Sequence, residues 1–246
     1  MTKTANEIEK LKMFEEINVP SGLISYLEKR TERKEYIRTG RYSVTDLVGC
    51  QRKNYYRLCG LEVEELLNDR TIENMWDSVR GELLHKITYS HRWREMDIEH
   101  NFVLHNGREV KIVGRLDMYD WKTGTIIDLK TTKFVKWQIK QGFIPKPEHL
   151  LQLQCYDFLF SAIIPVKNLN VVYADMSDIV AFKIRRRNLR EWIKIRIQRV
   201  ENCLNSNEVP HGEVSGLCKY CRYQTRCHTD GDGLITRPLS VPKSNE

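Results

Sequence analysis

Asp117, Asp128 and Lys130 are the residues of this chain best suited by type and spacing to do chemistry. They stand in two short apolar runs, Gly114-Arg115-Leu116-Asp117 and Ile126-Ile127-Asp128-Leu129-Lys130, which both read as strands. Side chains alternate across a strand, so Asp128 and Lys130 should project from one face while Ile127 and Leu129 pack on the other. Paired carboxylates can hold a hard cation, Mg²⁺ or Mn²⁺, which neutralises the phosphoryl oxygens of a phosphodiester under attack by water. A lysine two residues from a ligand can orient that water or stabilise the developing charge. Alone, an Asp-x-Lys tripeptide more often marks a solvated strand, so the elements around it must decide.

Two flanking segments add candidates. Upstream, Arg80-Gly81-Glu82-Leu83-Leu84-His85 lies in an amphipathic stretch with Val79, Leu83, Leu84 and Ile87 as its apolar positions, which reads as a helix with His85 about one turn beyond Glu82. Its imidazole could complete a metal shell. Downstream, Gln152 and Tyr156 are four apart in a second predicted helix and therefore share a face, where they could orient the lysine or meet phosphate. The pattern predicts a helix over 77–94, strands over 99–105, 110–120 and 124–131, a helix over 148–161, and strands over 169–174 and 180–185.

In this order, His85, Gly-Arg-x-Asp117, Asp128-x-Lys130 and Gln152-Leu-x-x-Tyr156 resemble the RecB-like branch of the PD-(D/E)XK nucleases. The resemblance implies an α/β fold, a restriction-endonuclease-like core with a mixed central sheet flanked by helices. It also implies metal ligation by His85, Asp117 and Asp128 with the backbone carbonyl of Leu129, service of the water by Lys130, and support from Gln152 and Tyr156.

The cysteines narrow the branch. Cys218-Lys219-Tyr220-Cys221 followed by Cys227 is a compact cluster, and Cys50 lies far upstream. Such spacing is more often a metal site than a disulfide framework, and four thiolates suit a tetrahedral zinc or an iron-sulfur cluster alike. Cys59, Cys155 and Cys203 read as core packing. A nuclease core bracketed by one N-terminal and three C-terminal cysteines resembles the CRISPR-associated exonucleases of the Cas-four type, as well as related helicase-nucleases and archaeal viral exonucleases. That resemblance implies an iron-sulfur cluster, usually [4Fe-4S], on Cys50, Cys218, Cys221 and Cys227. It also implies the trimming of spacer precursors beside the CRISPR integrase proteins. A viral or repair exonuclease has the same catalytic parts, and a catalytically idle DNA-binding scaffold would keep the fold without the full residue set.

Composition agrees with a polyanionic partner. The 246 residues carry 40 Lys and Arg against 33 Asp and Glu, a formal net charge of +7, with an apolar fraction ordinary for a globular chain. No run approaches the ~18 apolar residues of a membrane span, and the polar start Met1-Thr2-Lys3-Thr4 has no signal-peptide core, so a cytoplasmic protein is expected. Arg52 and Lys53 should line a DNA channel, and Arg185, Arg186 and Arg187 should form a phosphate-contacting ridge. Between Lys133 and Lys146, Phe134, Trp137 and Phe143 are interleaved with lysines, a composition suited to single-stranded nucleic acid, although a core role for the rings is equally consistent. The expected organisation is a helical arm over 1–74, a nuclease core over 75–205, a cysteine-rich clasp over 206–230 and a flexible tail over 231–246. The chain can act alone or as a homo-oligomer.

Overall fold

The computed structural model describes residues 18–31, 41–63, 71–88, 94–231 and 234–236. In chain order these form α1 (Ser21–Thr31), β1 (Arg41–Ser43), α2 (Val44–Val48), α3 (Gln51–Leu58), α4 (Ile72–Thr88), β2 (Arg94–Val103), β3 (Glu109–Asp120) and β4 (Thr125–Thr131). There follow α5 (Val135–Lys140), α6 (Pro147–Phe160), β5 (Asn168–Ala174), β6 (Ile179–Ile184), α7 (Arg190–Ser206), β7 (Gly212–Val214), a 3-10 turn (Cys218–Tyr220), α8 (Gln224–Thr229) and β8 (Leu234–Thr236). The architecture is the expected α/β arrangement of a mixed central sheet flanked by helices. Much of the predicted N-terminal arm and most of the predicted tail lie outside the described residues.

The sheet explains where the site sits. Its main path runs β1-β3-β4-β5-β6, with β2 also paired to β3. β2 lies antiparallel along one edge of β3 from Glu109 to Met118, so β1 and β4 share the other edge. β1 takes Lys111 to Val113 in parallel, and β4 takes Met118 to Asp120 antiparallel. Among the described residues, 114–117 are left with no strand on that edge. β4 meanwhile stays parallel to β5 over its whole length, from Thr125 to Thr131. The two central strands therefore splay apart at Asp117.

The hairpin joining β3 to β4 depends on Gly124. Its φ of +64° favours glycine, and a Cβ there would stand 2.9 Å from the Pro165 carbonyl oxygen. Helix α6 begins with Pro147 at its first turn, where the missing N–H costs nothing. It contains no β-branched residue. It touches β2, β3, β4 and β5 and is buried nearly all round, with Leu151, Leu153, Cys155, Leu159 and Phe160 at or below 1 % exposure. Gly114 of β3 allows this approach, since an added Cβ would stand 3.2 Å from Leu159 Cδ1 and Val44 Cγ2 and 3.3 Å from Tyr156 Cε1. We expect Gly114→Ala to cost about 1–3 kcal/mol by overpacking. A urea denaturation midpoint unchanged from wild type would show that these side chains yield freely.

Ser43 opens α2 with a capping box. Ser43 Oγ accepts the Asp46 N–H at 3.1 Å, and Asp46 Oδ2 accepts the Ser43 N–H at 2.8 Å. Asn188 and Glu191, whose spacing suits a capping pair, do not cap α7. Its N-cap is Leu189, and Asn188 instead accepts the Arg190 N–H at 2.9 Å. The apolar stripe of α7 faces the core, with Ile193, Ile197 and Val200 buried. Cys155 is buried and Cys203 half-buried, but Cys59 is exposed just past the end of α3, contrary to the expectation of core packing.

Two expected nucleic-acid contacts are structural ties. Arg52 is 1 % exposed and donates inward, to the Pro210 carbonyl at 2.7 Å and the Cys227 carbonyl at 3.1 Å, so it cannot line a channel. Arg186 forks onto Asp157 at 2.9 and 2.7 Å and reaches the Val166 carbonyl at 2.5 Å, tying α6 and the loop before β5 to the segment after β6, while its side chain stays 41 % exposed. Lys53 and Arg185 are exposed, and Arg187 is half-buried.

Candidate active site

The splay of β3 from β4 leaves the Leu129 N–H without a ladder partner, and Asp117 Oδ2 accepts it at 2.9 Å. Asp128, on the adjacent strand, is 1 % exposed. Its carboxylate meets Lys130 Nζ at 3.0 Å through Oδ1 and 2.8 Å through Oδ2, yet buried Oδ2 takes no hydrogen bond. A buried carboxylate oxygen that has only an ion pair among the described residues, beside a second carboxylate, is a donor that a hard cation can share. Leu129 is 1 % exposed on the opposite face, as the alternation predicts.

Helix α6 closes the site from above. Gln152 donates to Tyr156 Oη at 3.2 Å, so the predicted pair does share a face. Burial raises the Tyr156 hydroxyl far above its ordinary range, and the negative charges of Asp128 and Asp117 reinforce it. One turn earlier stands His149, which sequence reasoning missed; its Nδ1 lies 2.8 Å from Tyr173 Oη. Burial, followed by the charges of Lys130 and Lys146, lowers this imidazole to about 3. Burial pushes the Tyr173 hydroxyl up to about 12. The signal for His149 was its i, i+3, i+7 relation to Gln152 and Tyr156, one helical face. Tyr173 comes from β5 opposite Lys130, a pairing invisible to local pattern.

The Asp128 carboxyl is pushed up to about 6, first by burial and also by the Asp117 charge, against the pull of Lys130. In metal-free protein this has a definite sign. An unfolded Asp ionises near ~3.9, so between that pH and about 6 the folded chain keeps a proton that the unfolded chain has released. The resulting stability is complete below the unfolded value and is lost as pH rises through about 6. Melting temperatures in EDTA should therefore fall more steeply between pH 4 and pH 7 (roughly) for wild type than for Asp128→Asn. Parallel curves would contradict the burial argument.

His85 occupies the last turn of α4 and is half-buried. Among the described residues, no three His, Cys, Asp or Glu side chains gather as a metal-holding group, so His85 does not join Asp117 and Asp128 in such a cluster. α4 does approach β4, since a Cβ on Gly81, one turn before His85, would lie 3.0 Å from Thr131 Oγ1. Beside Asp117 on β3, a cleft of about 730 Å³ is lined by Arg41, Ser43, Glu99, Arg115 and Tyr156, among others. Arg115 is two residues from Asp117 and hence on its face of the strand.

The four clustered cysteines occupy one region without forming a three-ligand group. Cys50 Sγ accepts the Glu213 N–H and Cys218 Sγ the Ser215 N–H, both at 3.3 Å, while Arg52 reaches Cys227 Sγ at 3.5 Å. The Cys221 thiol is raised, mainly by burial and also by the nearby Cys50 and Cys218.

Comparison with known proteins agrees with this geometry. No curated protein matches the chain. The solved crystal structure of SSO0001 is similar over 87 % of this chain and 97 % of its own, with 22 % identity and a TM-score of 0.58, which supports the fold. A phage-related exonuclease from Haemophilus somnus 129PT covers 64 % of this chain and 80 % of its own at 15 % identity and a TM-score of 0.36. Residues 61–228, most of the chain and all of the splayed strand pair, match the model of a single nuclease family. With two carboxylates and a lysine at the point where its central strands part, this chain belongs to the PD-(D/E)XK nuclease superfamily.

Proposed function

We propose that the chain is a metal-dependent DNA exonuclease acting on single-stranded ends or overhangs, of the Cas-four type, and that it trims spacer precursors in CRISPR adaptation beside the integrase proteins. The observation that carries the nuclease reading is the buried Asp128 carboxylate, ion-paired with Lys130 at 2.8 Å and set beside Asp117 where the central strands part. These oxygen donors fit Mg²⁺ or Mn²⁺, with the Leu129 carbonyl as a further ligand, whereas His85, which does not gather with them, would have to move in to join the shell. A bound divalent ion supplies charge neutralisation at the phosphoryl oxygens and a more acidic water. Lys130, whose Nζ lies 2.8 Å from the Asp128 carboxylate, would orient the attacking water or stabilise the charge that develops on the phosphoryl oxygens. Tyr156 and Tyr173 keep their hydroxyl protons and offer neutral donors. The His149 ring stays uncharged and braces Tyr173.

The cysteine region supports an iron-sulfur cluster, since thiolates receiving backbone N–H bonds are the environment such clusters use. Cys50, Cys218, Cys221 and Cys227 would hold it, clasping a long loop whose closure the metal-thiolate bonds offset.

Calorimetric titration of Mn²⁺ into freshly purified protein tests the first assignment. Wild type should bind, and Asp117→Ala and Asp128→Asn should bind at least about tenfold more weakly. Equal affinities in all three would place the ion elsewhere. Iron and sulfide assays with an absorption spectrum test the second, and zinc alone would overturn it.

A further inference from the structure

The segment that follows the catalytic strand carries three large rings in solvent. Phe134 is 73 % exposed, Trp137 54 % and Phe143 56 %. The rings of Trp137 and Phe143 meet edge to face at 5.5 Å. The sequence left open whether these aromatics belong to the core; they do not. Exposed large rings close together in a short stretch mark a contact surface.

The backbone that presents them is costly and firmly held. Phe134 has φ 56° and ψ 54°, the left-handed conformation that a bulky residue seldom adopts. With its ring 73 % exposed, packing among the described residues offsets little of that cost, and strain of this kind gathers at functional segments. Asp175 Oδ2 accepts the Val135 N–H at 2.8 Å. Gln138 bonds back to Thr132 Oγ1 and the Lys133 carbonyl at 2.5 and 2.7 Å, and its own backbone carbonyl accepts the Phe143 N–H at 2.9 Å. The rings are therefore preorganised rather than carried on a loose loop.

Position and charge point to one occupant. Phe134 is four residues beyond Lys130, so their Cα atoms are separated by at most about 14 Å. Lys133, Lys136 and Lys140 are exposed among the rings. Lys133 and Lys136 pair with half-buried Asp77 at 2.8 Å and Asp178 at 2.5 Å, but both ammonium groups stay in solvent, where they can also meet a phosphate. Rings flanked by exposed lysines suit unpaired bases on a phosphate backbone, whereas stacked duplex bases offer no face to them.

We infer that Phe134, Trp137 and Phe143 form a stacking platform for the unpaired bases of a single-stranded DNA end, and that this platform selects unpaired over paired substrate. The inference rests on the nuclease reading and names what sets its strand preference.

The test uses the full chain with Asp117→Ala to suppress cleavage, a fluorescein-labelled oligo-dT, and a blunt duplex of the same length. Adding Phe134→Ala and Trp137→Ala should weaken oligo-dT binding about 10- to 100-fold while changing duplex binding less than about twofold. Trp137→Phe, which keeps a ring, should retain most of the affinity. Unchanged oligo-dT binding, as expected if the rings instead seat a protein, would overturn the inference, and so would equal losses on both substrates. Melting temperatures of the variants distinguish a lost contact from a lost fold. Cleavage by the otherwise wild-type chain is scored separately: ring-dependent binding without any cleavage sinks the nuclease reading alone, and cleavage indifferent to the rings sinks the platform alone.

Discussion

Asp128→Asn is expected to abolish Mn²⁺-dependent DNA cleavage, by at least about 10²- to 10³-fold, while leaving the metal-free fold as stable as wild type or more so. The two effects share one cause. Asp128 is 1 % exposed, and its carboxylate is disfavoured by burial and by Asp117, so the ion is a cost to the empty fold at neutral pH. An amide of the same shape removes that cost together with the anionic donor. Lys130 loses its partner but is 20 % exposed and can turn to water. Cleavage rates and melting temperatures in EDTA, measured on the same preparations, check both halves. A variant that loses activity by unfolding would show that Asp128 is structural.

Arg196→Ala is the second large expectation, on stability. The Arg196 guanidinium forks onto Glu213 at 2.9 Å through both nitrogens, and the two side chains are 7 % and 2 % exposed. It also donates to the Leu47 carbonyl at 2.8 Å and the Gly49 carbonyl at 2.6 Å. This single side chain ties α7 to the segment entering Cys50 and to the strand preceding Cys218. Removing it leaves the buried Glu213 charge without its guanidinium, which costs about 3–5 kcal/mol. The urea midpoint should fall accordingly, and iron content should fall with it if the cysteine assignment holds. A loss under about 1 kcal/mol would mean that water or Gln51, whose N–H lies 3.3 Å from Glu213 Oε2, takes over the charge.

The active strands were legible because their chemistry follows a local period. Asp128 and Lys130 alternate with Ile127 and Leu129, and the burial of Leu129 follows. Gln152 and Tyr156 were legible for the same reason at helical spacing. The boundary between α4 and β2 was drawn late. The helix ends at Thr88 and the strand begins at Arg94, because pairing with β3 recruits residues of little strand propensity of their own.

What escaped was set by distant partners. Arg52 and Arg196 look like surface residues by type, yet both are buried, because the Pro210 carbonyl and Glu213 wait for them 158 and 17 residues away. Tyr173 reaches the site only because β5 pairs with β4. The left-handed turn at Phe134 runs against its residue type, so nothing local announced that its ring would face solvent.

Degradation of end-labelled single-stranded DNA in Mn²⁺ by wild type, Asp117→Ala and Lys130→Ala tests the central claim most directly. Carboxylates and an ammonium that act together at the parting of β3 and β4 predict cleavage by wild type and loss of it in both variants. Equal cleavage by all three would contradict the account.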